Sequence, residues 1–336
     1  MPKSVLEKLK VSMLALALLI IVTSTALTPT VSAAPTVPST NNYPYVYDPD
    51  FNSRNPDYWQ VGLVGSYPRQ SQNLPEGYWN PNTAFDSAWF ENNYAVIGTP
   101  VGNSGTVTLR AHSEYDLTWG GRGWSNAFVH QGSPVYTNVY EGRFKAGSTP
   151  SSAITVDGIK YNLFTTEPTN KHYIHIKAIL SRDDLNYWQS NNGLLICFIF
   201  QYEYPDGSLS LYNYPANTNH YQSVHFDIFI HRTFKLANIP FSYPSGTWYN
   251  TLGDAYNGDL HEQYVYNGKM NVGQWYDFYI DFGDAINKLK YRVYNDCIDF
   301  GLPIPQNLIL KYIQISAETI GGDIEVVIDT FEFITY

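Results

Sequence analysis

Two strand-like stretches hold the residues best suited to chemistry. In Val224-His225-Phe226-Asp227-Ile228-Phe229-Ile230-His231 the side chains alternate, so Val224, Phe226, Ile228 and Ile230 point one way and His225, Asp227, Phe229 and His231 the other. The first set belongs to a core. The second gathers two imidazoles, a carboxylate and a ring, as the floor of a substrate groove would. An antiparallel strand with one side in solvent gives the same pattern. A later strand behaves similarly, with Lys311, Ile313, Ile315 and Ala317 on one face and Tyr312, Gln314, Ser316 and Glu318 on the other. Its polar-aromatic row ends in a carboxylate before Thr319-Ile320-Gly321-Gly322, where an acid at an ordinary strand end is the plain alternative. Carboxylates and imidazoles on one surface are the groups that move protons in general acid–base work.

These two stretches need a scaffold, and the chain reads as an all-β sandwich. Runs of strand character alternate with Gly, Pro, Asn and Asp clusters at the spacing of such folds. The runs are Thr106 to Ala111, Val135 to Phe144, Tyr173 to Leu180, Leu194 to Tyr204, Val224 to His231, Gln274 to Asp281, Leu310 to Ala317 and Ile324 to Ile334. One segment departs from the pattern. Between about residues 284 and 300 the apolar residues Ile286, Leu289, Val293 and Cys297 recur three and four apart, the period of a helix face, and Gly301 and Pro303 end it. No linker and no repeat interrupts residues 44 to 336, which are expected to form a single domain.

The N-terminus reads as a signal peptide over residues 1 to 33. Lys3, Lys8 and Lys10 precede an apolar run from Met13 to Val22, and Val31-Ser32-Ala33 offers small residues for cleavage. That run is shorter than the about 20 residues needed to cross a bilayer, so the mature chain is expected outside the cytoplasm with no membrane span. Residues 34 to 43, rich in Pro, Thr, Ser and Asn, form a spacer. Cleavage removes three Lys and one Glu, leaving 17 basic and 29 acidic residues and moving the charge from −10 to −12. Nucleic acid is an improbable partner for such a chain, because phosphate binding needs clustered Lys and Arg.

The chain holds 29 Tyr, 17 Phe and 8 Trp against 15% charged residues, so some rings must lie on the surface. Exposed rings suit the apolar faces of sugars, although Tyr also favours strands for packing reasons alone. Cys197 and Cys297 could pair in an oxidising compartment or remain buried thiols. No metal-site spacing appears, and no cofactor is expected. The acidic runs Asp183-Asp184 and Asp254 to Asp259 read as solvated turns before they read as calcium loops.

The helix from about Asp284, the Gly-Leu-Pro connection and the run LILKYIQISAETIGGDIEVVIDTFEF together resemble the C-terminal third of the family-12 glycoside hydrolases. The resemblance covers residues 190 to 336 and implies a concanavalin-like jelly roll and endo-acting hydrolysis of a β-glucan. The family's Ile/Val-Gln-x-Gly-x-Glu strand is matched by Ile313-Gln314-Ile315-Ser316-Ala317-Glu318, which would make Glu318 the general acid/base. The family's nucleophile opens a Glu-x-Met-x-Trp strand that this chain lacks. Asp227 is the acid in the corresponding place, with Glu203 a weaker candidate. A shorter Asp in a Glu position displaces the attacking oxygen by more than about 1 Å, an error that can cost about 100-fold. The resemblance also implies that Trp119 and Trp124, in Trp119-Gly120-Gly121-Arg122-Gly123-Trp124, line the groove, with Trp89 as a further platform. Phe229, His225, His231, Tyr312 and Gln314 would complete the substrate-binding set. A retaining pair needs its carboxyl groups about 5–5.5 Å apart.

A monomeric, secreted hydrolase acting on polysaccharide is therefore the leading expectation. A non-catalytic carbohydrate-binding module, a structural surface protein, and a jelly-roll lyase using a Tyr with His225 or His231 are the other readings. An acidic chain suits an anionic lyase substrate poorly.

Overall fold

A computed structural model describes residues 51, 59–66, 92–97, 105–113, 115–116, 121–122, 124–132, 159–169, 172–186, 190–210, 223–236, 239–250 and 260–335. The chain divides into two compact units, Met1–Thr40 and Asn41–Tyr336, and every described residue belongs to the second. The segment read as a signal peptide (residues 1 to 33), Trp89, Trp119, the strand read at Val135 to Phe144 and the run Asp254 to Asp259 lie outside the described residues.

The described residues form an all-β sandwich with one late helix. Strands are numbered in chain order. The larger sheet has nine strands. Its backbone is β1 (Gln60–Ser66), β6 (Trp124–Gly132), β15 (Asn307–Ile320), β9 (Asn191–Glu203), β10 (Ser223–Leu236), β13 (Leu260–Val265) and β12 (Thr247–Asn250), in that spatial order. β7 (Lys160–Asn162) adds to β15 and β11 (Ile239–Ser242) to β10. The second sheet runs β14 (Trp275–Asp281), β8 (His172–Asp184), β16 (Asp323–Thr335), β3 (Val107–His112) and β2 (Tyr94–Ile97). β4 (Tyr115–Asp116) and β5 (Gly121–Arg122) make a separate small ribbon. Pairing is antiparallel throughout the named strands except between β10 and β13, which run parallel.

The core lies between the sheets. Ile196, Phe198 and Phe200 of β9, Phe226 and Ile228 of β10 and Ile313 and Ile315 of β15 meet Ile174 and Ile176 of β8 and Val326, Phe331 and Phe333 of β16. The helix α1 (Phe282–Asp299) closes one side of this core with Phe282, Ile286, Leu289, Val293 and Cys297. Its apolar spacing is the one read from the sequence, although the helix begins two residues before Asp284. Asp281 supplies the N-cap by accepting from the Asp284 backbone N–H at 3.0 Å, and the φ of 66° at Gly301 suits a residue without a Cβ just past its end. Phe282 packs 4.8 Å from both Phe198 and Phe333, which ties helix and both sheets at one point.

Cys197 and Cys297 are both free and buried. Cys197 sits in a second apolar cluster on the far side of the large sheet, and Cys297 belongs to the main core, so the sheet separates them. No helix among the described residues is long and apolar enough to cross a membrane.

Candidate functional site

The outer face of the large sheet collects most of the residues singled out from the sequence. On β10, Val224, Phe226 and Ile228 enter the core, and His225, Asp227 and Phe229 face outward, as alternation requires. The strand then bulges, with a register shift between Phe229 and His231. Ile230 is the extra residue, and His231 turns inward with it. This corrects the outward placement of His231. It is fully buried, its Nδ1 accepts from the Met270 backbone N–H at 3.0 Å, and its Nε2 lies 3.2 Å from Asp183 Oδ2. Asp183 therefore belongs to an interior clasp rather than a solvated turn. A similar shift between Leu310 and Tyr312 makes Lys311 the extra residue of β15, so Lys311 does not join Ile313, Ile315 and Ala317 in the core.

Asp227 is the centre of the site. It is 6% exposed, and His261 Nε2 donates to its Oδ2 at 2.5 Å. Burial opposes its charge, but His261, with Cys197 and His225, outweighs burial and holds the carboxyl below its usual value. The same surroundings push the buried Cys197 thiol well up, through burial first and then Asp227. His225 is half-buried, its ring 5.7 Å from that of His261. Phe229 is buried with Leu195, Cys197, Ile199, Val265 and Tyr312, against which Tyr243 and Tyr249 pack. A second apolar cluster thus occupies part of what was read as an open groove floor.

Along β15, Tyr312 Oη donates to Gln314 Oε1 at 2.6 Å and Gln314 Nε2 donates to Ser316 Oγ at 2.5 Å. The row ends at half-buried Glu318, whose cross-strand neighbours are Gly193 on β9 and Asn126 on β6. Glu318 and Asp227 both act electrostatically on the Cys197 thiol and the Tyr249 hydroxyl, so they share one face. They do not share a row. Asp227 pairs with Cys197, which pairs with Gln314, and Glu318 lies four residues beyond. Two strand spacings across and four residues along place their Cα atoms about 16 Å apart. Glu203 is engaged elsewhere, with Lys160 Nζ and Asn307 Nδ2 each at 2.5 Å. Trp124 opens β6, where its backbone pairs with Ser66 and Ile320.

Several residues of this face were not read from the sequence. His130 faces outward opposite Gln314, and burial lowers its pKa to about 3, so it is neutral. His261 and Gln263 reach Asp227 from β13, and Arg232 returns to the outer face after the bulge, its Cζ 4.1 Å from the Phe229 ring centroid. The alternation of Leu260-His261-Glu262-Gln263-Tyr264-Val265 was the available signal for β13. No group of three or more His, Cys, Asp or Glu side chains among the described residues is placed to hold a metal ion.

No family model and no curated protein matches the chain. Solved structures similar to it include the family 11 xylanase from Neocallimastix patriciarum, at 9% identity and a TM-score of 0.31 over 73% of this chain and 96% of that one. Endoglucanase 3 of family GH12 from Trichoderma harzianum matches at 10% identity and 0.30 over 73% and 88%. The catalytic domain of Humicola grisea Cel12A, solved with a soaked thio cellotetraose, matches at 14% identity and 0.30 over 73% and 91%. The resemblance to family 12 read from the sequence therefore has a weak structural counterpart, shared with family 11, and at such TM-scores it carries no argument beyond the strand order and register above.

Proposed function

We propose that this chain is an exported polysaccharide-binding protein of glycosidase-like fold that holds a β-glucan on the outer face of its large sheet without cleaving it. The register carries this reading. Asp227 and Glu318 rise from one face with Cα atoms about 16 Å apart, and side chains extended towards each other, about 7 Å of reach together, leave the carboxyl groups about 9 Å apart or more, beyond the about 5–5.5 Å of a retaining pair. Asp227 is also buried and bound to His261, which suits a positioning role better than attack on an anomeric carbon. What remains is a surface of tyrosines, amides and carboxylates, the groups that contact sugar hydroxyls and ring faces.

Hydrolysis keeps one supporting observation, the half-buried Glu318 at the position where the family resemblance places its acid/base. The lyase reading loses His231 as a base, since Asp183 and Met270 occupy its ring nitrogens. Affinity gel electrophoresis on a panel of glucans, run beside a reducing-end assay on the wild type and Glu318→Gln, separates the cases. Retardation by a β-glucan with no reducing ends released by either protein is expected. Reducing ends that disappear in Glu318→Gln would restore the hydrolase. Absence of retardation by every glucan would end the binding reading.

A further inference from the structure

We propose that Arg232, Tyr249 and Gln263 form a subsite for one neutral pyranose unit, engaged through a pair of its hydroxyls; this rests on the polysaccharide-binding reading. Arg232 Nε, Tyr249 Oη and Gln263 Oε1 are buried and have no hydrogen-bond partner among the described residues. Buried polar groups are nearly always paired, and three such atoms at one place call for an explanation. They are together by construction. Tyr249 is the cross-strand partner of Gln263, which is the partner of Asp227, so all three share one outward row. Arg232 reaches the same place along the surface, its Cζ 4.1 Å from the Phe229 ring centroid and 5.9 Å from that of Tyr243, whose ring in turn lies 5.3 Å from Tyr249. Arg232 and Tyr249 each keep part of their side chains in solvent, while the three polar atoms themselves are sealed beneath, so a sugar reaches them by displacing a neighbouring ring.

The chemistry of the three atoms selects the ligand. Arg232 Nε–H only donates, Gln263 Oε1 only accepts, and the Tyr249 hydroxyl does either. A pair of sugar hydroxyls, each donor and acceptor at once, can meet all three, while the Tyr243 and Tyr249 rings offer apolar surface to the C–H faces. Charge excludes an acidic sugar. The charges of Arg232, Asp227 and Glu318 all reach the Tyr249 hydroxyl, and with Asp227 already paired to His261 the guanidinium is balanced by Glu318. A uronate would bring a third anion.

The test uses the intact chain, with cellotetraose and tetragalacturonate as probes in titration calorimetry and hydroxyethyl cellulose in affinity gels. Tyr249→Phe and Arg232→Lys are each expected to weaken binding of cellotetraose and retardation by the polymer about tenfold, the loss of one hydrogen bond. Tetragalacturonate is expected not to bind. Tyr249→Phe should also raise the Tm of the sugar-free protein, because it removes a buried hydroxyl that has no partner; a merely structural hydroxyl would lower Tm and leave affinity unchanged. Wild-type affinity in Tyr249→Phe, or tighter binding of tetragalacturonate, overturns the subsite. Tyr249→Phe decides alone if Arg232→Lys does not fold. A wild type that no polysaccharide retards sinks the binding reading itself, a result distinct from retardation that the substitutions leave unchanged.

Discussion

His175 lies flat on Tyr279, the ring centroids 4.3 Å apart and the planes within 4° of parallel. In that position its Nε2 meets Asp277 Oδ1 at 2.6 Å and its Nδ1 meets Glu332 Oε2 at 2.7 Å. Each ring nitrogen faces an acceptor, so both bonds exist only when both nitrogens carry hydrogen. Burial works to lower the pKa, but the hydrogen bonds its ring donates to Glu332 and Asp277 outweigh it and leave it raised. The charged ring links three neighbouring strands, β14, β8 and β16, with Lys177 paired to Asp329 beside it.

A group whose pKa rises on folding stabilises fully below its unfolded value, about 6.5 for His, and loses that contribution as pH climbs through the higher folded value. Stability should therefore fall from about pH 6.5 upward, by about 1 kcal/mol, since Asp277 is exposed and partly screened. His175→Gln should flatten that part of the profile. Thermal unfolding of both proteins across this range checks it, and an unchanged slope in the variant would remove His175 as the cause.

Glu262 gives a second titration with a different window. It is fully buried on β13 and hydrogen-bonded by Arg292 of α1, and burial foremost, opposed by Arg292 and assisted by Asp296, raises its pKa to about 7. The unfolded value is 4.5, so the contribution is present below that pH and is lost as pH rises from 4.5 towards 7. The loss has an order of magnitude of about 3 kcal/mol. Glu262→Gln should abolish most of this slope; denaturant midpoints at several pH values give the comparison, and an undiminished slope would contradict it.

His231→Ala should be the most damaging of these substitutions. It leaves the Asp183 carboxylate, which also accepts from Thr233 Oγ1 at 3.0 Å and Asn192 Nδ2 at 2.9 Å, without its imidazole partner, and strands the Met270 N–H. Leaving a buried carboxylate and a buried backbone N–H each short of a hydrogen bond costs about 3–5 kcal/mol in all. A fall in Tm of about 10 °C is expected. A shift within about 2 °C would show that the clasp contributes little.

Much of this architecture was legible in the sequence because it is written in local periodicity. Ile286, Leu289, Val293 and Cys297 announced the helix, and the alternation of Val224 to Phe229 and of Ile313 to Glu318 assigned both faces correctly. The failures came where a strand stops counting in twos. His231 and Lys311 were placed on the wrong sides because bulges answer to the partner strand, and nothing in Phe229-Ile230-His231 marks one. The site was less legible still. Asp227 and Glu318 lie on one face of the large sheet, but their separation depends on register across β9, which no short motif encodes. The partners of Asp227, His261 and Gln263, arrive through a parallel pairing of β10 with β13 over a gap in sequence of more than thirty residues.

The bulge at Ile230 works as a change of reading frame in space. Upstream of it even-numbered residues of β10 face inward; downstream, His231 and Thr233 do, and Arg232 is delivered to the outer side. Straightening this bulge with every residue kept would leave the composition untouched yet swap inside for outside along the rest of the strand, sending a guanidinium towards the core and an imidazole away from its carboxylate.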